Sequence, residues 1–104
     1  MAKQKPSISD LVSEGIIKVG QMFFTAYDDY SYSGKVVDNE HIRIQSTHES
    51  YDPKNMGNHL YESFNKPASQ ICGGTVNAWL WWKYFKGNEH RPIDDWRREW
   101  LDKH

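Results

Sequence analysis

The sequence predicts an α+β domain: a small antiparallel β-meander of three to four strands, with short helices packed against it and a C-terminal helix. Three observations carry that expectation. Five Trp, six Tyr and four Phe in 104 residues supply a core, because each large aromatic buries about 150–250 Å². Residues 21–45 are rich in β-formers and end in a polar–apolar alternation. Ile93, Trp96, Trp100 and Leu101 recur at i, i+3, i+7 and i+8, the spacing of one helical face.

The elements follow in order. Residues 1–6 read as a frayed tail. Ser7 opens a short helix, with Asp10 completing a capping box. Ile8, Leu11 and Val12 form its apolar face, and Gly15 stops it. Gly20 marks a turn. Gln21–Tyr27 is a first strand, Asp28–Ser31 a turn, and Tyr32–Val37 a second strand. Asp38-Asn39 gives a two-residue hairpin signal, since both residues tolerate left-handed backbone. Glu40–Gln45 alternates through Ile42 and Ile44 as a half-buried strand does. Residues 46–62 are polar, carry Pro53 and Gly57, and read as a long loop. Such loops in compact domains tend to be functional or disordered. Asn65 is expected to cap a second helix that runs to Ile71, with Pro67 in its first turn and Gly73-Gly74 ending it.

The segment Val76–Phe85 (VNAWLWWKYF) reads as a buried strand. That reading puts Val76, Ala78, Leu80, Trp82 and Tyr84 on one face and Asn77, Trp79, Trp81, Lys83 and Phe85 on the other. Both faces carry aromatics. One fits the core and the other fits beneath a terminal helix; the sharper alternative is an aromatic that lines a pocket and stacks on a base. Asn77 must find partners in such surroundings. It either braces the Gly73-Gly74 turn or reads a ligand edge. Gly87-Asn88 turns the chain, and Pro92 opens the last helix, over 92–102. Asp94 and Asp95 near its start and Lys103 near its end suit the helix dipole.

Several chemistries find no support. The histidines make no recognised metal-ligand spacing and read as exposed loop residues, with His41 in a strand. Cys72 is the single cysteine. It sits at a helix C-terminus, where the dipole disfavours a thiolate, and reads as a small buried hydrophobe. Gly73-Gly74 lacks the Lys-Ser or Lys-Thr of a phosphate loop. No nucleophile, base and orienting group come together, so the expectation is a binding module, not an enzyme, with no cofactor. No apolar run approaches the roughly 20 residues of a membrane span, and no secretory signal opens the chain; a reducing, cytoplasmic setting is expected. The net charge of -1 lacks the basic excess of a strong nonspecific DNA binder. It leaves room for a local basic strip, in which Lys35 and Arg43 share one face of the meander and Lys83 and Lys86 join them.

The order of elements resembles the RAMA domain, the module associated with restriction enzymes and adenine methylases. The short helix in ISDLVSEGIIKVG, the meander, and the short helix running into GGTVNAWLWW carry the likeness. Gly73, Gly74, Val76, Asn77, Trp79 and Trp82 are the matching positions, and the resemblance spans about residues 7–86, with the terminal helix beyond it. Ala78 stands where the family has Gly, Trp81 where it has Phe, and Asn65 and Pro67 where it has small residues. The resemblance implies a non-catalytic DNA-binding module in a restriction-modification or phage-defence context, some members being thought to read adenine methylated on its exocyclic amine. The DNA- or base-binding candidates are then Asn77, Trp79, Trp81, Lys83, Lys35 and Arg43. A protein-interaction module or homodimerising accessory protein stays open, because aromatics and near-neutral charge also suit protein interfaces.

Overall fold

The structure is a computed structural model that describes residues 5–27, 30–46 and 59–104. The first helix, α1 (Ile8–Ser13), begins at Ser7 as expected. Ser7 Oγ accepts from the Asp10 amide at 3.0 Å, and the Asp10 carboxylate accepts from the Ser7 amide at 2.9 Å. This reciprocal box satisfies two of the donors that every helix start leaves open. Gly15, at φ 73, ends the turn that follows. Pro6 is already buried, so the ordered body begins before Ser7.

Three strands follow: β1 (Met22–Tyr27), β2 (Tyr30–Val36) and β3 (Ile42–Ser46), each antiparallel to the next. The β2–β3 connection is longer than a two-residue turn. Val36 pairs with Ile42, and residues 37–41 form the loop. Asp38 Oδ1 organises it by accepting from the amides of Glu40 and His41, at 2.8 and 2.9 Å. An Asp side chain that mimics a backbone turn competes with the tighter hairpin. The Asp28–Ser31 turn lies partly, and the 46–62 loop mostly, outside the described residues. The loop's end is not peripheral, however. Tyr61 is buried, bridges Ile42 through paired 2.9 Å backbone bonds, and donates its hydroxyl to Gln70 Oε1 at 2.7 Å.

Helix α2 (Asn65–Cys72) starts one residue earlier than the sequence suggests. Phe64 is the cap residue, and Asn65 is the first helical residue. The capping oxygen comes from Ser63, whose Oγ accepts from the Lys66 amide at 3.3 Å. Gly73 closes α2 in the left-handed region at φ 78. Cys72 is half-buried, with Sγ donating to the Gly74 carbonyl at 3.2 Å.

The main departure is at 76–85. This segment is not one strand but a one-turn helix, α3 (Ala78–Trp81), followed by β4 (Lys83–Lys86). Its aromatics favour a strand by propensity. Tertiary packing and the Asn77 cap override that preference. Ala78, Trp79 and Trp82 are buried while Leu80 is 51% exposed, a spacing of i, i+1 and i+4 that only a helix brings to one side. Strand β4 then turns at Gly87-Asn88 into β5 (Glu89–Pro92), which the sequence reading left out. Gly87 takes φ 62, as a two-residue hairpin requires. Pro92 therefore ends a strand instead of opening the last helix, α4 (Asp94–Asp102).

Among the described residues the five strands form one antiparallel sheet in the order β3-β2-β1-β4-β5. One face carries the core. Phe23, Val36, Ile42 and Ile44 from the strands join Ile8, Leu11, Ala68, Ile71, Ala78, Trp79, Trp96 and Trp100 from the four helices. Trp82 is the centre of this layer. It is fully buried, meets the Phe23 ring edge-on at 4.9 Å, and donates Nε1–H to the Phe64 carbonyl at 2.9 Å. Gly34 faces Phe23 across β1 and β2, and a Cβ there would fall 2.3 Å from the Phe23 ring and 2.9 Å from Ile44 Cδ1. The glycine is needed because an aromatic ring lies flat over that position.

Candidate nucleic-acid interface

The helices all lie against the face that holds Phe23, Val36 and Ile44. The alternate residues of each strand therefore point to the opposite face, which none of the described helices covers. Register places Met22 beside Lys35, Lys35 beside Arg43, Phe24 beside Ser33 and Lys83, and Phe85 beside His90. Neighbouring strands lie about 4.8 Å apart, so the strip from His90 on β5 to Arg43 on β3 crosses roughly 19 Å.

Two kinds of side chain alternate along this strip. Phe24 and Phe85 stack at 4.6 Å with 28° between their planes. His90 meets both edge-on, at 5.0 Å from Phe24 and 4.6 Å from Phe85. Phe85 is 60% exposed and Met22 48%. Beside them stand Lys35 and Arg43, both exposed and with no ion-pair partner among the described residues. Lys83 is half-buried and donates to the Leu80 carbonyl at the end of α3; its ammonium has three donors, so this bond leaves others. None of the outward strand positions among the described residues is Asp or Glu.

The six candidates from the sequence thus divide. Lys35, Arg43 and Lys83 come together on the open sheet face. Asn77 and Trp79 belong to the helical layer, where they line a cleft of about 610 Å³ with Lys5, Ser7, Asn65 and Thr75. Asn77 is the cap of α3. Its side-chain oxygen accepts from the Trp79 amide at 3.2 Å, which leaves the NH₂ donors without a partner among the described residues. It braces a helix start, not the Gly73-Gly74 turn. Trp79 is buried against Phe64, with ring centroids 5.5 Å apart. Trp81 is half-buried between Trp82 at 4.9 Å and Tyr27 at 6.3 Å, and its carbonyl accepts from Thr25 Oγ1 at 3.1 Å.

The sequence reading missed Phe24 and His90 as site residues and assigned Phe85 only to a strand face. The signal was the Gly87-Asn88 turn. Read as a hairpin, it sets Phe85 opposite His90 and extends the sheet by one strand.

The charged clusters elsewhere have structural explanations. Arg91 forks onto Asp95 at 3.0 and 3.1 Å, and the Tyr84 hydroxyl donates to the same carboxylate at 3.0 Å. The Arg91 guanidinium holds Asp95 below the ordinary carboxylate range, with Tyr84 adding to it. Burial first, and then the Asp95 bond, pushes the Tyr84 hydroxyl up to about 12. The group fastens the β4–β5 hairpin to α4. His41 is not in a strand but in the loop before β3, where its bond to Asp38 raises its pKa. The backbone N–H of Glu40, followed by His41, holds Asp38 low. No group of three His, Cys, Asp or Glu among the described residues could hold a metal ion, and no described helix is long and apolar enough to cross a membrane.

A family model described as Restriction Enzyme Adenine Methylase Associated, RAMA, matches residues 2–104, and the chain belongs to that family. The match takes in α4, which the resemblance from sequence had left outside. No curated protein matches the chain.

Proposed function

We propose that this domain is a non-catalytic DNA-binding module working beside restriction and methylation enzymes. The observation that supports this reading best is the sheet face away from the helices, where Lys35, Arg43 and Lys83 stand near exposed aromatics and no outward strand position among the described residues is a carboxylate. A polyanion meets such a surface without like-charge repulsion, although the whole chain carries -1. Association with restriction enzymes and adenine methylases favours DNA as that polyanion. The finer reading, recognition of adenine methylated on its exocyclic amine, assigns the modified base to the cleft at Asn77 and Trp79, where the free Asn77 amide donors would meet the base edge.

Fluorescence anisotropy with short duplexes, with and without N6-methyladenine, at two salt concentrations tests both levels. Affinity should fall with salt. The Lys35→Glu/Arg43→Glu variant should weaken binding to every duplex and lower the slope of log affinity against log salt by roughly 0.9 per lost phosphate contact. Any preference for the methylated duplex should disappear in Asn77→Ala while unmodified binding persists. Absence of binding at tens of micromolar protein would instead favour a protein-interaction module, for which exposed Phe85 and Met22 are the contact candidates.

A further inference from the structure

The Phe24–Phe85–His90 cluster points to a more specific ligand than duplex DNA. We infer that the open sheet face is a stacking platform for unpaired bases, so that the module holds single-stranded DNA more tightly than duplex; this rests on the DNA-binding reading above.

A duplex presents phosphates outward and keeps its base faces stacked inside. Against duplex, Lys35 and Arg43 gain contacts, but the ring of Phe85 gains nothing. A single strand presents both phosphates and base faces, and sheet surfaces that display aromatics stack successive bases in this way. Here the rings are prearranged. Phe24 is half-buried and stacks against Phe85, and His90 packs at close to a right angle to both rings. Such support holds the outer ring in place, so little ordering is left for binding to require. Lys35 on β2 and Arg43 on β3 lie to one side of the rings of β1, β4 and β5, and Lys83 on β4 stands opposite Phe24, so a strand whose bases stack there has cations within reach of its phosphates.

A second copy of this chain is a poorer occupant. A two-fold contact would place the same strip against itself. Lys35, Arg43 and Lys83 would then meet a surface with no outward carboxylate on its described strand positions.

The test compares a mixed-sequence single strand of about 12 nucleotides with its duplex, using wild type, Phe85→Ala, Phe85→Trp and Lys35→Glu/Arg43→Glu. Phe85 is mostly exposed, so both its variants should fold, which a thermal midpoint checks. Wild type should prefer the single strand. Phe85→Ala should lose on the order of tenfold on the single strand and leave duplex affinity unchanged, and Phe85→Trp should restore it. The double charge variant should weaken both ligands. If Phe85→Ala alters both ligands alike or neither, the stacking platform is refuted while DNA binding stands. If wild type binds neither ligand, both readings fall. A monomer–dimer equilibrium that shifts in Phe85→Ala, with single-strand affinity unchanged, would make the face a protein interface and overturn the inference.

Discussion

The two faces of one sheet use aromatic residues in opposite ways. On the inner face Phe23, Trp79, Trp82, Trp96 and Trp100 are enclosed by four helices, and the Trp82 N–H has its acceptor. On the outer face Phe24, Phe85 and His90 form an equally close cluster with no described helix above it. The inner set holds the fold together through burial and edge-to-face contact. The outer set buries far less, so its removal should cost stability little. Aromatic content alone therefore does not separate core from site; the register of the strands does.

Substitutions on the two faces should part sharply. The largest effect belongs to Trp82→Ala, which removes a fully buried ring and its hydrogen bond and should cost about 3–5 kcal/mol by denaturant unfolding. Gly34→Ala comes next. Its Cβ must displace the Phe23 ring, and the overpacking should cost about 1–3 kcal/mol in the same assay. A loss below that range would mean that the ring moves aside freely.

The Asp95 cluster gives a smaller, pH-dependent effect. Because Asp95 titrates below its ordinary value of 3.8 in the folded chain, the unfolded chain binds this proton more readily. Its contribution is whole above that ordinary value and is lost as the pH falls through the lowered one. The thermal midpoint of Asp95→Asn should thus be lower than wild type near neutrality, with the gap closing in acid. The partly exposed Arg91 makes the effect modest. Smallest of all is Phe85→Ala, which should change stability by no more than about 0.5 kcal/mol. A loss comparable to Trp82→Ala would erase the distinction between the faces.

Much of this architecture was legible in the sequence. The Ser7–Asp10 box, the Gly15 stop, the first two strands and the terminal helix follow from local chemistry that needs no tertiary partner. The 76–85 segment was not legible, because β-propensity and helical burial compete there and the Asn77 cap decides the outcome. Asp38 similarly reshaped a turn that composition alone made look tighter. For the site, Lys35 and Arg43 could be paired from the meander register. Phe24 and His90 could not, since the β1–β4 neighbourhood joins strands 56 or more residues apart in sequence. Asn77 and Trp79 stood out as the most distinctive residues, yet one caps a helix and the other fills the core.

The most direct test of the central claim is a backbone-amide NMR titration of the wild-type chain with DNA. The account predicts that the largest chemical-shift changes trace the open face, at Met22, Phe24, Lys35, Arg43, Lys83, Phe85 and His90. Changes confined to Lys5–Ile8 and Thr75–Trp79, with that face silent, would contradict it and place the DNA at the cleft instead.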